Sequence, residues 1–387
     1  MRTASVVVIG AGVIGASVAY HLARRGWRKI LVLDRSGGPG QGSTGKATGG
    51  FRAQYATAIN VRLSLLSRDK LRCFEEETGG NAGYVPAGYL WLASTAGELE
   101  ALRAAQRVQH QEGLTEATEV GSEDIARLNP AVAPDEVIGG AFCPSDGFIR
   151  PLGILEGYLN AARRLGVEVE WQVEVTGLRG GQDSGIAVVE TSRGPVSPEL
   201  VVNAAGPWAA QVAELIGVDL PVTPVRRQVA ATTPADVLPH NMPMTIFTAD
   251  GFHLRVRDGR ILLLWPTPGL PGRPFDIRVD DEWINAVLAK AHRRVPVVRR
   301  AAVDRNACWA GLYEVSPDKH AILGAAPNSP NLFLLNGCSG HGVMHAPALG
   351  QLLSEVISDG AASTMNVSPL RPSRFGEGDL NPVSDVL

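Results

Sequence analysis

The stretch Val6-Val7-Val8-Ile9-Gly10-Ala11-Gly12-Val13-Ile14-Gly15-Ala16-Ser17-Val18-Ala19-Tyr20 decides how this 387-residue chain is read. Its β-branched run predicts a buried parallel strand, which breaks at Gly10-x-Gly12-x-x-Gly15 into a helix that Gly26 ends. Gly10 permits the sharp turn, Gly12 lets a pyrophosphate approach the backbone, and Gly15 lets the helix pack hard on the strand. The helix N-terminus offers unpaired N–H groups and a positive dipole end. A second apolar run, residues 29–33, ends in Asp34, about 20 residues past the glycines, where an acid takes the ribose hydroxyls. Strand, helix, strand and acid in register predict a dinucleotide site, and Asp34 argues against a 2′-phosphate.

A nicotinamide domain would proceed from its second strand to another helix. Here a small-residue loop follows instead, Gly37-Gly38-Pro39-Gly40-Gln41-Gly42-Ser43-Thr44-Gly45-Lys46-Ala47-Thr48-Gly49-Gly50. Further on come Asn203-Ala204-Ala205-Gly206-Pro207-Trp208 and Cys338-Ser339-Gly340-His341-Gly342. The opening unit and these three motifs, in this order across residues 1–360, resemble the FAD-dependent amino-acid oxidase family that includes sarcosine oxidase and glycine oxidase. The resemblance implies an α/β fold: a Rossmann-like FAD-binding domain (GR2-type) interleaved with a mixed-sheet α+β substrate domain. The implied boundaries are 1–83, 145–218 and 306–360 for the FAD domain and 84–144 and 219–305 for the substrate domain, with a tail at 361–387. The FAD contacts expected on this basis are Gly10, Gly12, Val13, Ile14, Gly15, Asp34, Arg35, Gly42, Ser43, Thr44, Lys46, Val175, Ala204, Gly206, Trp208, Gly311, Gly337, Gly340, His341, Gly342, Val343 and Met344.

Length and composition agree with a chain of two domains. A 45% hydrophobic content supports a core of more than one domain, and a net charge of −3 leaves no footprint for nucleic acid. The doublets Arg293-Arg294 and Arg299-Arg300 read as solvated helix ends. Cys73, Cys143, Cys308 and Cys338 are dispersed, so neither a disulfide framework nor a metal site is predicted, and the expected setting is a reducing cytoplasm. No apolar run reaches the ~20 residues that span a bilayer, and the N-terminal one leads into the glycine turn rather than a cleavage site.

Along the chain, helices are expected at 59–78, 98–112, from Ser122, at 151–166 and at 280–295. Strands are expected as a pair within 84–93, then at 137–142, 167–175, 186–191, 200–203, 251–257 and 260–265. Residues 359–387, rich in Ser, Pro, Gly and Asp, read as a loosely held tail.

The last apolar strand, residues 331–335, leads into a second glycine-rich turn and a helix from about Val343. That helix end would favour a reduced, anionic flavin by roughly 0.3–2 kcal/mol. Monomeric sarcosine oxidases place a lysine where this chain has Met344; the form Gly340-His341-Gly342-Val343-Met344-His345-Ala346-Pro347 is similar instead to proline-dehydrogenase-type and multi-subunit sarcosine-oxidase-type flavin subunits. The electron acceptor is then open between O2 and a protein or quinone, and a homo-oligomer or a partner subunit is possible on the same ground. His341 either contacts the flavin or packs in the turn, and Cys338 reads as a small buried apolar residue. Counting back from Ser316-Pro317-Asp318, the flavin-linking cysteine of monomeric sarcosine oxidase falls at Gly311, and Lys46 sits near the flavin-linking histidine of dimethylglycine dehydrogenases, so the FAD is expected to be non-covalent.

An amino-acid substrate needs its carboxylate clamped, and an arginine fork does this bidentately. Arg52 follows the cofactor loop, and Arg255 shares a strand face with His253; His253 and Tyr313 are further polar candidates over the ring. The expected reaction is oxidation of a small amino acid, of the sarcosine, glycine, proline or D-amino-acid type, to an imine. Two other readings stay open: a 2-hydroxy-acid dehydrogenase, which needs a strong base, or the flavin subunit of a multi-subunit amine dehydrogenase.

Overall fold

The computed structural model describes residues 1–180, 185–268 and 272–384. The opening run forms strand Arg2–Ile9, the glycine turn follows, and helix Val13–Arg24 ends just before Gly26, whose φ of +96° only glycine adopts freely. Strand Ile30–Asp34 then lies parallel to the first, with Val6 opposite Ile30. These strands are buried on both faces, which is why they read as continuous apolar runs.

They belong to an eight-stranded sheet. Its main path runs Ile322–Ala326, Ser329–Asn336, Val196–Asn203, Arg2–Ile9, Ile30–Asp34, Glu168–Trp171, and a hairpin of Val175–Gly180 and Ile186–Thr191 branches from Val196–Asn203. Five neighbouring strands of the path are parallel, and Ile322–Ala326 closes one edge antiparallel. Helix Val13–Arg24 is sandwiched between the long helix Gly342–Asp359 and helix Pro151–Arg164. The first contact is close: a Cβ at Gly350 would stand 2.1 Å from Ser17 Oγ, which donates to the Ala346 carbonyl at 2.8 Å.

A second eight-stranded sheet runs Trp309–Val315, Thr223–Ala231, Arg260–Leu264, His253–Arg257, Met244–Phe247, Tyr89–Ala93, Gly139–Cys143, Thr118–Val120. All of its pairs are antiparallel except Met244–Phe247 beside Tyr89–Ala93. The chain crosses between the sheets repeatedly, so the architecture is the interleaved α/β arrangement. The stretch 306–360 is divided between them, because Trp309–Val315 pairs with Thr223–Ala231 while the later strands join the first sheet.

Several local expectations change. The helix expected at 59–78 is two, Ala58–Arg72 and Phe74–Thr78, parted at Cys73. Within 84–93 only Tyr89–Ala93 is a strand; Pro86 and the left-handed Gly88 turn the rest, and Val85 bridges to Phe148. Strands Thr223–Ala231 and Met244–Phe247 carry no usable alternation, the first having Pro224 as its second residue and the second buried throughout. Arg294 is not a solvated helix end. It is 4% exposed, donates to Asp250 at 2.6 Å and lies over the Phe247 ring.

The C-terminal segment is held, not loose. Arg374 is fully buried and grips Asp318 with two bonds, Nε to Oδ2 at 2.8 Å and Nη2 to Oδ1 at 2.9 Å, while Asn381 Nδ2 donates to Asp318 Oδ2 at 2.9 Å. Burial works against the Asp318 carboxylate, yet these donors hold it well below the usual range. Residues 382–384 consequently reach the wall of the central cavity, and 385–387 lie outside the described residues. Removing one partner of a buried pair strands the other's charge, so Arg374→Ala should cost about 3–5 kcal/mol. Urea unfolding checks this, alongside limited proteolysis, in which new cleavage should appear C-terminal to residue 374; a wild-type digestion pattern with unchanged stability would contradict the anchor.

Candidate active site

One cavity of about 1350 Å³ runs between the sheets. At one end lies the opening turn. A Cβ on Gly15 would stand 1.9 Å from the Gly10 carbonyl oxygen, and a Cβ on Gly10 would stand 2.4 Å from the Ala204 carbonyl oxygen, so bare backbone is required at both. Asp34 is fixed by three hydrogen bonds: Oδ2 accepts from Ala11 N at 2.8 Å, and Oδ1 accepts from Ser36 N at 2.8 Å and from the Ser36 hydroxyl. Asn203, wholly buried, accepts from Ala205 N and donates to the Ala209 carbonyl, which sets the Ala204-Ala205-Gly206 turn. Arg35 lies 4.2 Å over the Trp208 ring at this end.

The small-residue loop is partly helical, Ser43–Lys46. Thr44 Oγ1 accepts from Val13 N at 3.1 Å, Ser43 donates to the Leu312 carbonyl at 2.7 Å, and the Lys46 carbonyl accepts from Trp309 Nε1 at 2.8 Å. Lys46 lies across Gly311, where a Cβ would stand 2.7 Å from its own. Of the expected cofactor contacts all line the cavity except Gly15 and Gly337. Gly15 acts behind the wall in helix packing, and Gly337 is a left-handed turn residue packed on Ser316 and Ile322.

Helix Gly342–Asp359 begins at the other end with His341 as its N-cap and no side-chain cap, so its first N–H groups stay open. Two helix N-termini, this one and that of Val13–Arg24, therefore meet the cavity. The cradle of backbone N–H groups, the fixed ribose acid and the bare glycines fit FAD: residues 10–13, Asp34 and Thr44 would hold its nucleotide half and Gly340–Met344 its flavin half. Gly311 offers no nucleophile. Cys308 is turned away into contacts with Asp304 and Ala231, and burial pushes the Cys338 thiol well above its usual value.

At the flavin end stands Arg52. It donates to the Gln54 carbonyl at 2.7 Å, lies 3.4 Å from His341 Nε2, and stacks 3.9 Å over Tyr55 and 5.0 Å from the Trp91 ring. Met344 holds this corner: its sulfur accepts from Arg52 N at 3.5 Å and Tyr55 Oη at 3.7 Å. The nearby acid, Asp146, is spent on Ala53 N and the Gln54 side chain; burial lifts its carboxyl to about 6. Tyr313 packs on Gly340, whose hypothetical Cβ would stand 2.3 Å from the ring.

Arg255 does not face the cavity. Its guanidinium donates to the Thr48 and Gly49 carbonyls and lies 3.5 Å over Phe148, where burial lowers it to about 10, so it braces the cofactor loop from behind. His253 does face the cavity. Its Nδ1 donates to the Gly251 carbonyl at 2.8 Å, and burial lowers the ring to about 4, leaving Nε2 a neutral acceptor. Burial likewise holds His341 well below its usual value and His345 at about 3.

Among the wall residues that escaped the sequence reading are two ionisable ones at the substrate end. Arg227, on strand Thr223–Ala231, donates to the Arg226 and Thr267 carbonyls and lies 5.4 Å from the Tyr313 ring. Glu314 lines the cavity with Oε2 buried and unpartnered, while Oε1 accepts weakly from Cys338 N. Arg227 falls next to a doublet mate, and Glu314 inside an aromatic strand; in both cases the facing side was the missing signal.

Residues 5–356 match the family described as FAD dependent oxidoreductase, and the chain belongs to that family. It is 30% identical to dimethylglycine dehydrogenase of Rattus norvegicus over 97% of this chain and 45% of that protein, so it spans about half the length of that relative. Among solved structures, L-proline dehydrogenase from P. horikoshii superposes with a TM-score of 0.90 at 26% identity, covering 98% of this chain and 100% of the other. Glycine oxidase from Geobacillus kaustophilus does so at 0.84 and 25%, covering 97% and 99%.

Burial raises the Glu314 carboxyl from an ordinary 4.5 to about 7. A raised acid contributes stability that is present below the ordinary value and is lost as pH rises through the folded one. Glu314→Gln should therefore gain stability relative to wild type between pH 5 and pH 8, by roughly 1–3 kcal/mol. Thermal melts of both holoproteins across that range check it, and a difference flat with pH would contradict it.

Proposed function

We propose that this chain oxidises the C–N bond of a small amino acid or N-alkyl amino acid to an imine, using non-covalent FAD. The observation that carries the reading is Arg52, a cation at the flavin end of the cavity with no ion pair among the described residues, framed by aromatic rings. It meets a substrate carboxylate as a fork, which fixes the adjacent carbon. Bound FAD would supply the acceptor for the hydride, which carries both electrons away from the carbon beside nitrogen. As that C–H bond breaks, the nitrogen lone pair forms the C=N bond, and water later hydrolyses the iminium to carbonyl and amine.

The chain's own residues contribute orientation and charge. Arginine cations beside the amine oppose its protonation and so favour the neutral form that can lose hydride. Neutral His253 Nε2 can accept the remaining N–H. With burial holding it near 4, His253 is a poor base for an alcohol, which disfavours the hydroxy-acid reading. Met344 leaves stabilisation of a reduced flavin to the helix dipole. Among the described residues no helix is long and apolar enough to cross a membrane. The four free thiols support a reducing, cytoplasmic setting, and we leave the acceptor as O2 or a protein or quinone partner.

The purified protein should be yellow, and acid precipitation should release all of its FAD into the supernatant. Mixed anaerobically with N-methyl, cyclic and D-amino acids, its flavin bands should bleach with at least one class and stay unchanged with 2-hydroxy acids. Bleaching by hydroxy acids alone would overturn the proposal, and flavin that remains in the pellet would refute non-covalent attachment.

A further inference from the structure

The substrate end of the cavity is lined by two arginines rather than one. Arg52 comes from the loop after the cofactor cradle, and Arg227 comes from strand Thr223–Ala231 of the other sheet. Both reach the same groups: after burial, both cations disfavour protonation of His253, and both act on the Tyr313 phenol. Neither has an ion pair among the described residues. The Arg226 beside Arg227 is bound to Asp280, whereas Arg227 has only the carbonyls of Arg226 and Thr267, which satisfy hydrogen bonds without cancelling charge. Burial lowers its proton affinity and no carboxylate opposes that. Glu314, which burial raises to about 7, is half protonated at that pH and largely neutral only below it.

Charge withdrawn from water is costly unless it is balanced, and one carboxylate carries one negative charge, so beside two guanidiniums it leaves a net positive charge. The cavity that both arginines line also has apolar wall, including Trp91, Met244, Ile246 and Leu264. The chamber is thus built for a short apolar link carrying an anion at each end.

We infer that the substrate is a dicarboxylic amine, with the carboxylate beside the reacting carbon on Arg52 and a second acidic group on Arg227. This rests on the amine-oxidising reading and adds the second anion to it. Arg227 is then the specificity residue, selecting by charge what Arg52 alone would accept from any amino acid.

The test has a binding arm and a turnover arm, both on the holoprotein. In the first, the flavin spectrum and the thermal midpoint are followed during titration with glutarate and with butyrate, neither of which can be oxidised. Glutarate should bind at least tenfold more tightly, and Arg227→Leu should bring the two within about threefold, with Arg227→Lys between. In the second, anaerobic bleaching is compared for N-methylaspartate and iminodiacetate against sarcosine, and the diacids should win by at least tenfold in rate at low concentration. Equal binding of glutarate and butyrate by the wild-type protein would overturn the inference even if sarcosine bleaches the flavin, which leaves amine oxidation standing. Tight glutarate binding with no bleaching by any amine would do the reverse, supporting the two-anion chamber and removing the amine-oxidising reading.

Discussion

The structure depends on a backbone fit with no tolerance: the Gly10 carbonyl lies against Gly15 on one side, and Gly10 itself lies against the Ala204 carbonyl on the other. A single methyl group at either glycine would drive the first strand away from its helix or from Val196–Asn203. Because that strand is central to the first sheet, its displacement would carry both neighbours with it. The fit places three turns, after Ile9, Asn203 and Asn336, at the same ends of three adjacent parallel strands. This is where open α/β sheets bind ligands, since helix N-termini and loop N–H groups converge there.

The second sheet completes what the first cannot supply. The cradle of glycines and helix ends recognises phosphate, ribose and flavin but has no means of choosing a substrate. On the proposed reading, selection would come from other side chains that line the cavity: Arg227, His253 and Tyr313 from the second sheet and Arg52 from the loop after the cofactor cradle. Interleaving the domains brings these groups to one chamber, and the Asp318–Arg374 pair ties the C-terminal segment to its wall. Orientation and charge are therefore distributed over both sheets, while the redox chemistry belongs to the cofactor.

The cofactor half of the site was legible in the sequence because its constraints are local. A turn that admits no Cβ must be glycine, and an acid at a strand end is readable from a run of a few residues. The substrate half was not. Periodicity placed His253 and Arg255 on one side of one strand, but it could not tell that Arg255 would be consumed by the Thr48 and Gly49 carbonyls. Arg227 was invisible for the same reason in reverse, since a proline at the second position of its strand conceals the alternation. The tail was misread because composition reports only local tendency, and Arg374 meets Asp318 across 56 residues of chain.

The most direct test of this account is a crystal structure of the holoprotein grown with FAD and glutarate. It should show the dinucleotide extending from Asp34 past Gly12 and Thr44 to the Gly340–Met344 turn, with glutarate bridging Arg52 and Arg227. FAD bound elsewhere, or a flavin ring remote from Arg52, would contradict the central claim that this cavity is the site of amine oxidation.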